Sequence, residues 1–149
     1  MSPQPGDFTI GEAARASGVK VTTVRFYESR GLLPAPPRSE GNRRLYAQSH
    51  VDRLRFIRHA RELGFALEDV ATLLSLSDEP DQSCAAVDAI ARAQRAEVTR
   101  RIARLEALGV ELDRMIATCA GGTVGECRVI ESLSDHAHCA ADHPGPAPM

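Results

Sequence analysis

The sequence predicts a mainly α-helical protein: a winged helix-turn-helix, then one long helix, then a short cysteine-bearing loop. Three observations carry that expectation. Aromatic residues make up 4% of the 149 positions and tryptophan is absent, so the core must be built from Leu, Ile, Val and Ala, the currency of helix packing. Two short helical patterns flank a tight glycine-containing turn and lead into a proline- and arginine-rich stretch. Finally, no proline falls between Ser83 and Thr118, where apolar residues recur at three- and four-residue steps.

The elements follow in order. Residues 1–7 read as a disordered lead. "FTIGEAARASGV" is a short helix with Thr9 as N-cap and Glu12 three residues on, the spacing of a capping box. Ile10, Ala13 and Ala14 form its apolar face and Gly18 ends it. "KVTTVRFYESRGLL" is a second helix, expected to be capped near Thr22 and stopped at Gly31. "PAPPRSEGNRRLY" has three prolines and cannot be helical; its end reads as a short strand after a turn at Glu40-Gly41-Asn42, making a basic wing.

"SHVDRLRFIRHARELGF" is a third helix with Val51, Leu54, Phe56, Ile57 and Leu63 among its apolar positions, and it breaks near Gly64. "ALEDVATLLSL" continues as a fourth, and "SDEPDQS" is a clear break. The long helix carries Val98, Ile102, Leu105, Leu108, Leu112, Met115 and Ile116 as one stripe. No second helix of its length exists in the chain, so the stripe is expected to pair with a copy of itself. Domain limits expected from this pattern are 8–77 for the winged helix-turn-helix, 82–118 for the dimerisation helix, 119–139 for the loop and a short following segment, and 140–149 for a disordered proline-rich tail.

Composition narrows the function. Hydrophobic content of 43% and charged content of 26% describe a soluble globular chain. No apolar run approaches a membrane span, and the opening residues lack the pattern of a signal peptide, so a cytoplasmic location without membrane contact is expected. Four cysteines in that compartment are thiols or metal ligands rather than disulfides. Net charge is −2, yet eleven of the eighteen basic residues lie between Arg15 and Arg61 against three acidic ones, a local excess of eight. Such a surface suits phosphates, although a merely solvated basic face has the same composition. No Ser/His/Asp set, phosphate-cradling loop or acid pair is present, so an enzyme is not expected.

The segments "TIGEAA", "VRFYESRGLL" and "GNRRLY", with "FIRHARELGFALEDVATLL" and the long helix beyond, resemble the MerR family of bacterial transcription regulators. The resemblance implies a homodimer with two winged heads joined by an antiparallel coiled coil. It further implies a regulator that sits on an overlong promoter spacer and distorts it, so that RNA polymerase can open the DNA. Thr22, Thr23 and Arg25 would enter the major groove at the start of the recognition helix. Tyr27, Arg43, Arg44 and Tyr46 would grip phosphates, with Tyr27 and Tyr46 standing equally well as half-buried packing residues.

The segment "TCAGGTVGEC" places Cys119 and Cys127 eight positions apart, too wide for a zinc-finger knuckle, around Gly121, Gly122 and Gly125, which let the chain fold back. Cys84 lies about 50 Å from Cys119 along an unbroken helix, since each residue adds about 1.5 Å. In the antiparallel dimer that the resemblance implies, Cys84 of the partner subunit would join Cys119 and Cys127 at one ion. The metal-sensing branch of the family is similar in bracketing a loop with two cysteines, and its divalent-ion sensors add a cysteine where Cys84 stands. Three thiolates favour zinc, cadmium, lead or mercury, whereas two alone suit a linear monovalent ion. His136, His138 and Cys139 are candidates for a fourth ligand or a second ion. Ala120 stands where typical zinc sensors carry another cysteine, which argues against their two-ion site.

The expected function is therefore a metal-responsive transcription activator. Three other readings use the same residues: a thiol-based sensor of oxidants or electrophiles, a copper(I) or gold sensor, and a metal buffer or metallochaperone.

Overall fold

A computed structural model describes residues 7–119 and 121–134. His136, His138, Cys139, Ala120 and the expected tail lie outside the described residues. The chain divides into two compact units, one ending at Ala91 and one beginning at Arg92, and each is described by itself. The elements are α1 (Ile10–Ser17), α2 (Val21–Ser29), α3 (Gln48–Glu62), α4 (Leu67–Ser77), α5 (Ala85–Ala117), a 3₁₀ turn at Val124–Glu126 and α6 (Arg128–Ser134). No described helix is long and apolar enough to cross a membrane.

In the first unit, α1 starts on the capping box that the sequence predicts. The Glu12 amide donates to Thr9 Oγ1 at 3.3 Å and the Thr9 amide donates to the Glu12 carboxylate at 2.8 Å. Gly18 ends the helix at φ 72, a left-handed conformation that glycine takes without a Cβ clash. The start of α2 differs from expectation. Helical geometry already begins at Val21, with Lys20 at the cap position and no side-chain capping bond. The turn at Gly18 delivers the chain into the helix two residues early, which leaves Thr22 exposed on the first turn rather than folded back as a cap.

Val51, Leu54, Ile57 and Ala60 form the buried face of α3, at steps of three. Phe56 and Leu63 are not on it: they are 39% and 55% exposed, because the helix rotates both away from α1. Val24 and Tyr27 of α2, Leu32 and Leu33 after it, Tyr46, and Val70 and Leu74 of α4 complete the core. His50 supplies the start of α3, its Nδ1 accepting from the Ala47 amide at 3.0 Å, and its ring meets Tyr46 edge-on at 5.7 Å.

Arginines of α3 tie the helices together. Arg53 donates to the Leu32 carbonyl at 2.8 Å and to Asp78 at 3.1 Å. Arg55 donates twice to the Ala16 carbonyl, at 3.1 and 2.8 Å, and Arg58 reaches the Ser17 carbonyl at 3.4 Å. The Ala16 and Ser17 carbonyls lie at the C-terminal end of α1, so these guanidiniums complete an end that water would otherwise serve, while Arg53 ties down the loop after α2.

The wing is less regular than a strand pair. Among the described residues it is held by two isolated antiparallel bridges, Arg38 with Arg44 and Phe8 with Tyr46. The turn between them closes through Asn42 at φ 60, a conformation asparagine tolerates. The Arg38 guanidinium donates to the Asn42 carbonyl and side chain, both at 3.3 Å. What fixes the wing is Glu28 of α2. One carboxylate oxygen accepts from Arg44 at 2.5 Å, and the other accepts a short hydrogen bond from the Tyr46 hydroxyl.

In the second unit, Glu111 and Met115 of α5 and Ser132 of α6 are buried, and Arg114 donates to Glu111 at 2.7 Å. Along α5 most of the apolar stripe stands exposed: Ile102, Leu105, Leu112 and Ile116 are 48–67% exposed, while Val98 and Leu108 are half-buried and Met115 is buried. A helix whose apolar stripe faces water in the single chain is built for a partner helix.

Burial of Tyr46 and its hydrogen bond to Glu28 push the phenol up to about 12 from an ordinary 10.0. The folded protein therefore keeps a proton that the unfolded chain releases, and the resulting stability is complete below pH 10 and lost as pH rises through about 12. Urea unfolding should show wild type losing this increment across that range, with Tyr46→Phe showing no such loss. Equal alkaline slopes would remove the role assigned to the phenol.

Candidate nucleic-acid interface and thiol pair

Between the start of α1, α2 and the wing lies an open cleft of about 850 Å³. Arg25, Arg38, Arg43 and Arg44 line it, with Glu28 as the one carboxylate. Arg25 and Arg43 are exposed and make no side-chain hydrogen bond or ion pair among the described residues. Two unengaged guanidiniums lining one cleft suit a phosphate-facing surface.

The other residues expected at DNA are placed differently. Thr22 is exposed and Thr23 half-buried on the first turn of α2. Tyr27 is 8% exposed, its ring in the core. Arg44 is partly exposed but committed to Glu28. Tyr46 is fully buried with its hydroxyl given to Glu28. A side chain with no exposed surface cannot grip a phosphate, so the contact expected of Tyr46 is corrected to a packing role. Arg38 was not among the expected residues, although it lines the cleft, and Glu28 organises the wall without any sequence signal beyond being the one acid of α2.

In the second unit, the chain leaves α5 and folds back over residues 118–127. Gly121 and Gly122 take φ of 76 and 97, whereas Gly125 sits within the 3₁₀ turn and has no positive φ. The reversal brings Cys119 near enough to Cys127 to help lower its pKa. Amide N–H groups of Ile130 and Val129, in the first turn of α6, point at the Cys127 sulfur. They hold its thiol below the usual range, with burial opposing and Cys119 assisting. Cys119 is exposed and Cys127 partly so, which leaves the pair open to an incoming ion.

Two adjacent soft sulfur donors fit a soft metal ion. No group of three Cys, His, Asp or Glu side chains that could hold an ion occurs among the described residues of the single chain. Cys84 is exposed in the first unit, just before α5, and its carbonyl accepts from the Asp88 amide at 2.9 Å.

Comparison with known proteins gives concordant matches. The family described as "MerR HTH family regulatory protein" matches residues 8–77, and that described as "MerR, DNA binding" matches residues 51–115. The transcriptional regulator ZntR of Escherichia coli is 37% identical over 133 residues, 87% of this chain and 94% of that protein. CueR of Vibrio cholerae is 35% identical over 127 residues, 85% of this chain and 91% of that protein. Among solved structures, the regulator PbrR691 from Ralstonia metallidurans, in complex with lead(II), superposes with a TM-score of 0.74 at 43% identity, over 85% of this chain and 98% of that one.

The left-handed backbone at Gly122 yields a direct test. An added Cβ would stand 3.1 Å from the Glu126 carboxylate in a conformation that other residues avoid, at a cost of about 1 kcal/mol or more. Gly122→Ala should therefore reduce bridging of Cys119 and Cys127 by phenylarsine oxide, which needs two thiols within reach. An unchanged yield would count against a glycine-dependent loop.

Proposed function

The chain belongs to the MerR family of helix-turn-helix regulatory proteins, non-enzymatic transcription regulators, and from that membership we propose how its metal response works. The protein binds promoter DNA as a homodimer and activates transcription by distorting the promoter spacer when a soft divalent ion binds at the dimer interface. Zinc, cadmium and lead are the ions proposed, with mercury behind them.

The observation that carries this reading is the chain reversal at Gly121 and Gly122 just after α5, which brings the accessible Cys119 and Cys127 near each other. The exposed stripe of α5 supplies the dimer contact. In an antiparallel pair, Cys84 of the partner subunit would approach the thiol pair and complete a three-sulfur site. Likeness to a regulator solved with lead(II) supports a divalent ion. The adjacent thiols alone also suit linear copper(I), the second reading, and similarity to both ZntR and CueR leaves the two in direct competition.

At the DNA, Arg25 and the threonines beside it meet the major groove. Arg43 and Arg44 approach phosphates from the wing, and Tyr27 contributes through its hydroxyl edge. The switch uses DNA deformation: binding the ion changes which spacer geometry the dimer holds, and polymerase opens the distorted form.

Promoter-reporter induction across zinc, cadmium, lead, mercury, copper, gold and a peroxide tests the reading. Cys119→Ser should abolish induction. Cys84→Ser should weaken the divalent response while leaving DNA affinity unchanged; a selective response to copper that survives Cys84→Ser would favour the second reading. Induction by divalent ions untouched in Cys119→Ser would overturn the site. For the DNA surface, Arg25→Ala should weaken binding to the selected operator by about tenfold or more, measured by gel shift against random duplex.

A further inference from the structure

The exposed residues of α2 and its C-cap are Thr22, Arg25, Phe26, Ser29 and Arg30, a face with helical spacing, while Val24 and Tyr27 lie on the buried face. Four of the five are polar or charged. The fifth is a phenylalanine, 48% exposed at the centre of the face, one turn after Thr22 and next to Arg25. The Arg30 guanidinium lies over its ring, 6.0 Å from the centre, at the outer limit of a cation–π contact.

An aromatic ring in water at the middle of a DNA-facing helix gives the folded chain little return, since its apolar surface is only half removed from solvent. Major-groove edges offer an apolar feature: the C5-methyl group of thymine, which distinguishes it from cytosine and is read by apolar side chains. Resting on the promoter-binding reading above, we infer that Phe26 is a specificity-determining residue that packs against a thymine methyl in each half-site, flanked by Arg25 on its polar side. Arg30, on the far side of the ring, positions it.

The assignment concerns one residue and one methyl group, so the test removes each separately. A duplex is selected from random-sequence DNA with the wild-type protein, and its thymines are replaced by uracil one at a time, which deletes the methyl and nothing else. At one position per half-site, wild type should lose affinity by about fourfold, the value of burying one methyl group. Phe26→Ala should bind the thymine duplex more weakly and show no further loss with uracil there. Phe26→Leu should recover part of the discrimination.

Circular dichroism and sedimentation of the variants separate this from a structural effect. A half-exposed side chain should leave helix content and dimer mass unchanged; a shift in mass on Phe26→Ala would place the ring in a protein interface and overturn the assignment. Uracil losses that are equal in wild type and Phe26→Ala, or absent from both, also overturn it while leaving promoter binding intact. If selection returns no duplex preferred over random DNA, the promoter-binding reading fails, and this inference with it.

Discussion

One carboxylate sets the geometry of the head. Glu28 is nearly buried, and a buried charge is tolerated only with good partners. It has two, both from the wing: the guanidinium of Arg44 and the hydroxyl of Tyr46. The wing's own order rests on one isolated bridge, Arg38 with Arg44, and a few short-range hydrogen bonds around Ser39 and Asn42. Besides the Phe8–Tyr46 pairing and the buried Tyr46 ring, Glu28 ties the wing directly to the recognition helix and so helps set the spacing between Arg25 and Arg43. The interaction thus converts two separately encoded segments into one surface with a set width. The burial of Tyr46 is part of the same arrangement, since its ring fills the core beneath the bond that its hydroxyl makes.

The thiol pair is organised by a different means. There the backbone does the work: two left-handed glycines reverse the chain, and the first amides of α6 receive the Cys127 sulfur. Both devices hold a polar group in place before its partner arrives, so that less ordering remains to be done on binding. Their difference is that Glu28 is already satisfied within the chain, while the thiols have unused coordination capacity. Exposed Cys119 keeps that capacity accessible.

Much of this was legible in the sequence, and the divisions are instructive. The capping box at Thr9 and Glu12 is a local interaction at fixed spacing, so it could be read without knowing what surrounds it. The reversal at Gly121 and Gly122 was legible for a similar reason, because few other residues accept that backbone; Gly125, read the same way, proved to be ordinary. Long-range contacts were not legible. Nothing near Thr22 reveals that the preceding turn starts α2 early, and nothing near Phe56 or Leu63 says which face of α3 is covered. Tyr46 illustrates the limit best: a tyrosine beside arginines reads equally as a phosphate contact or a packing residue until Glu28, eighteen positions earlier, is seen to take its hydroxyl.

The arginine ties of α3 change how the basic stretch should be counted. Of its eleven cationic side chains, Arg38, Arg44, Arg53, Arg55, Arg58 and Arg61 donate to carbonyls, amides or carboxylates of the protein itself. Arg44 excepted, which is proposed to reach a phosphate as well, cations that staple a fold release few counterions when a polyanion docks, because they gain no new phosphate. Ionic strength should therefore govern association through the minority that remain unengaged, and charge density read from the sequence overstates the electrolyte sensitivity of the complex. The surplus positive charge is, in large part, carpentry.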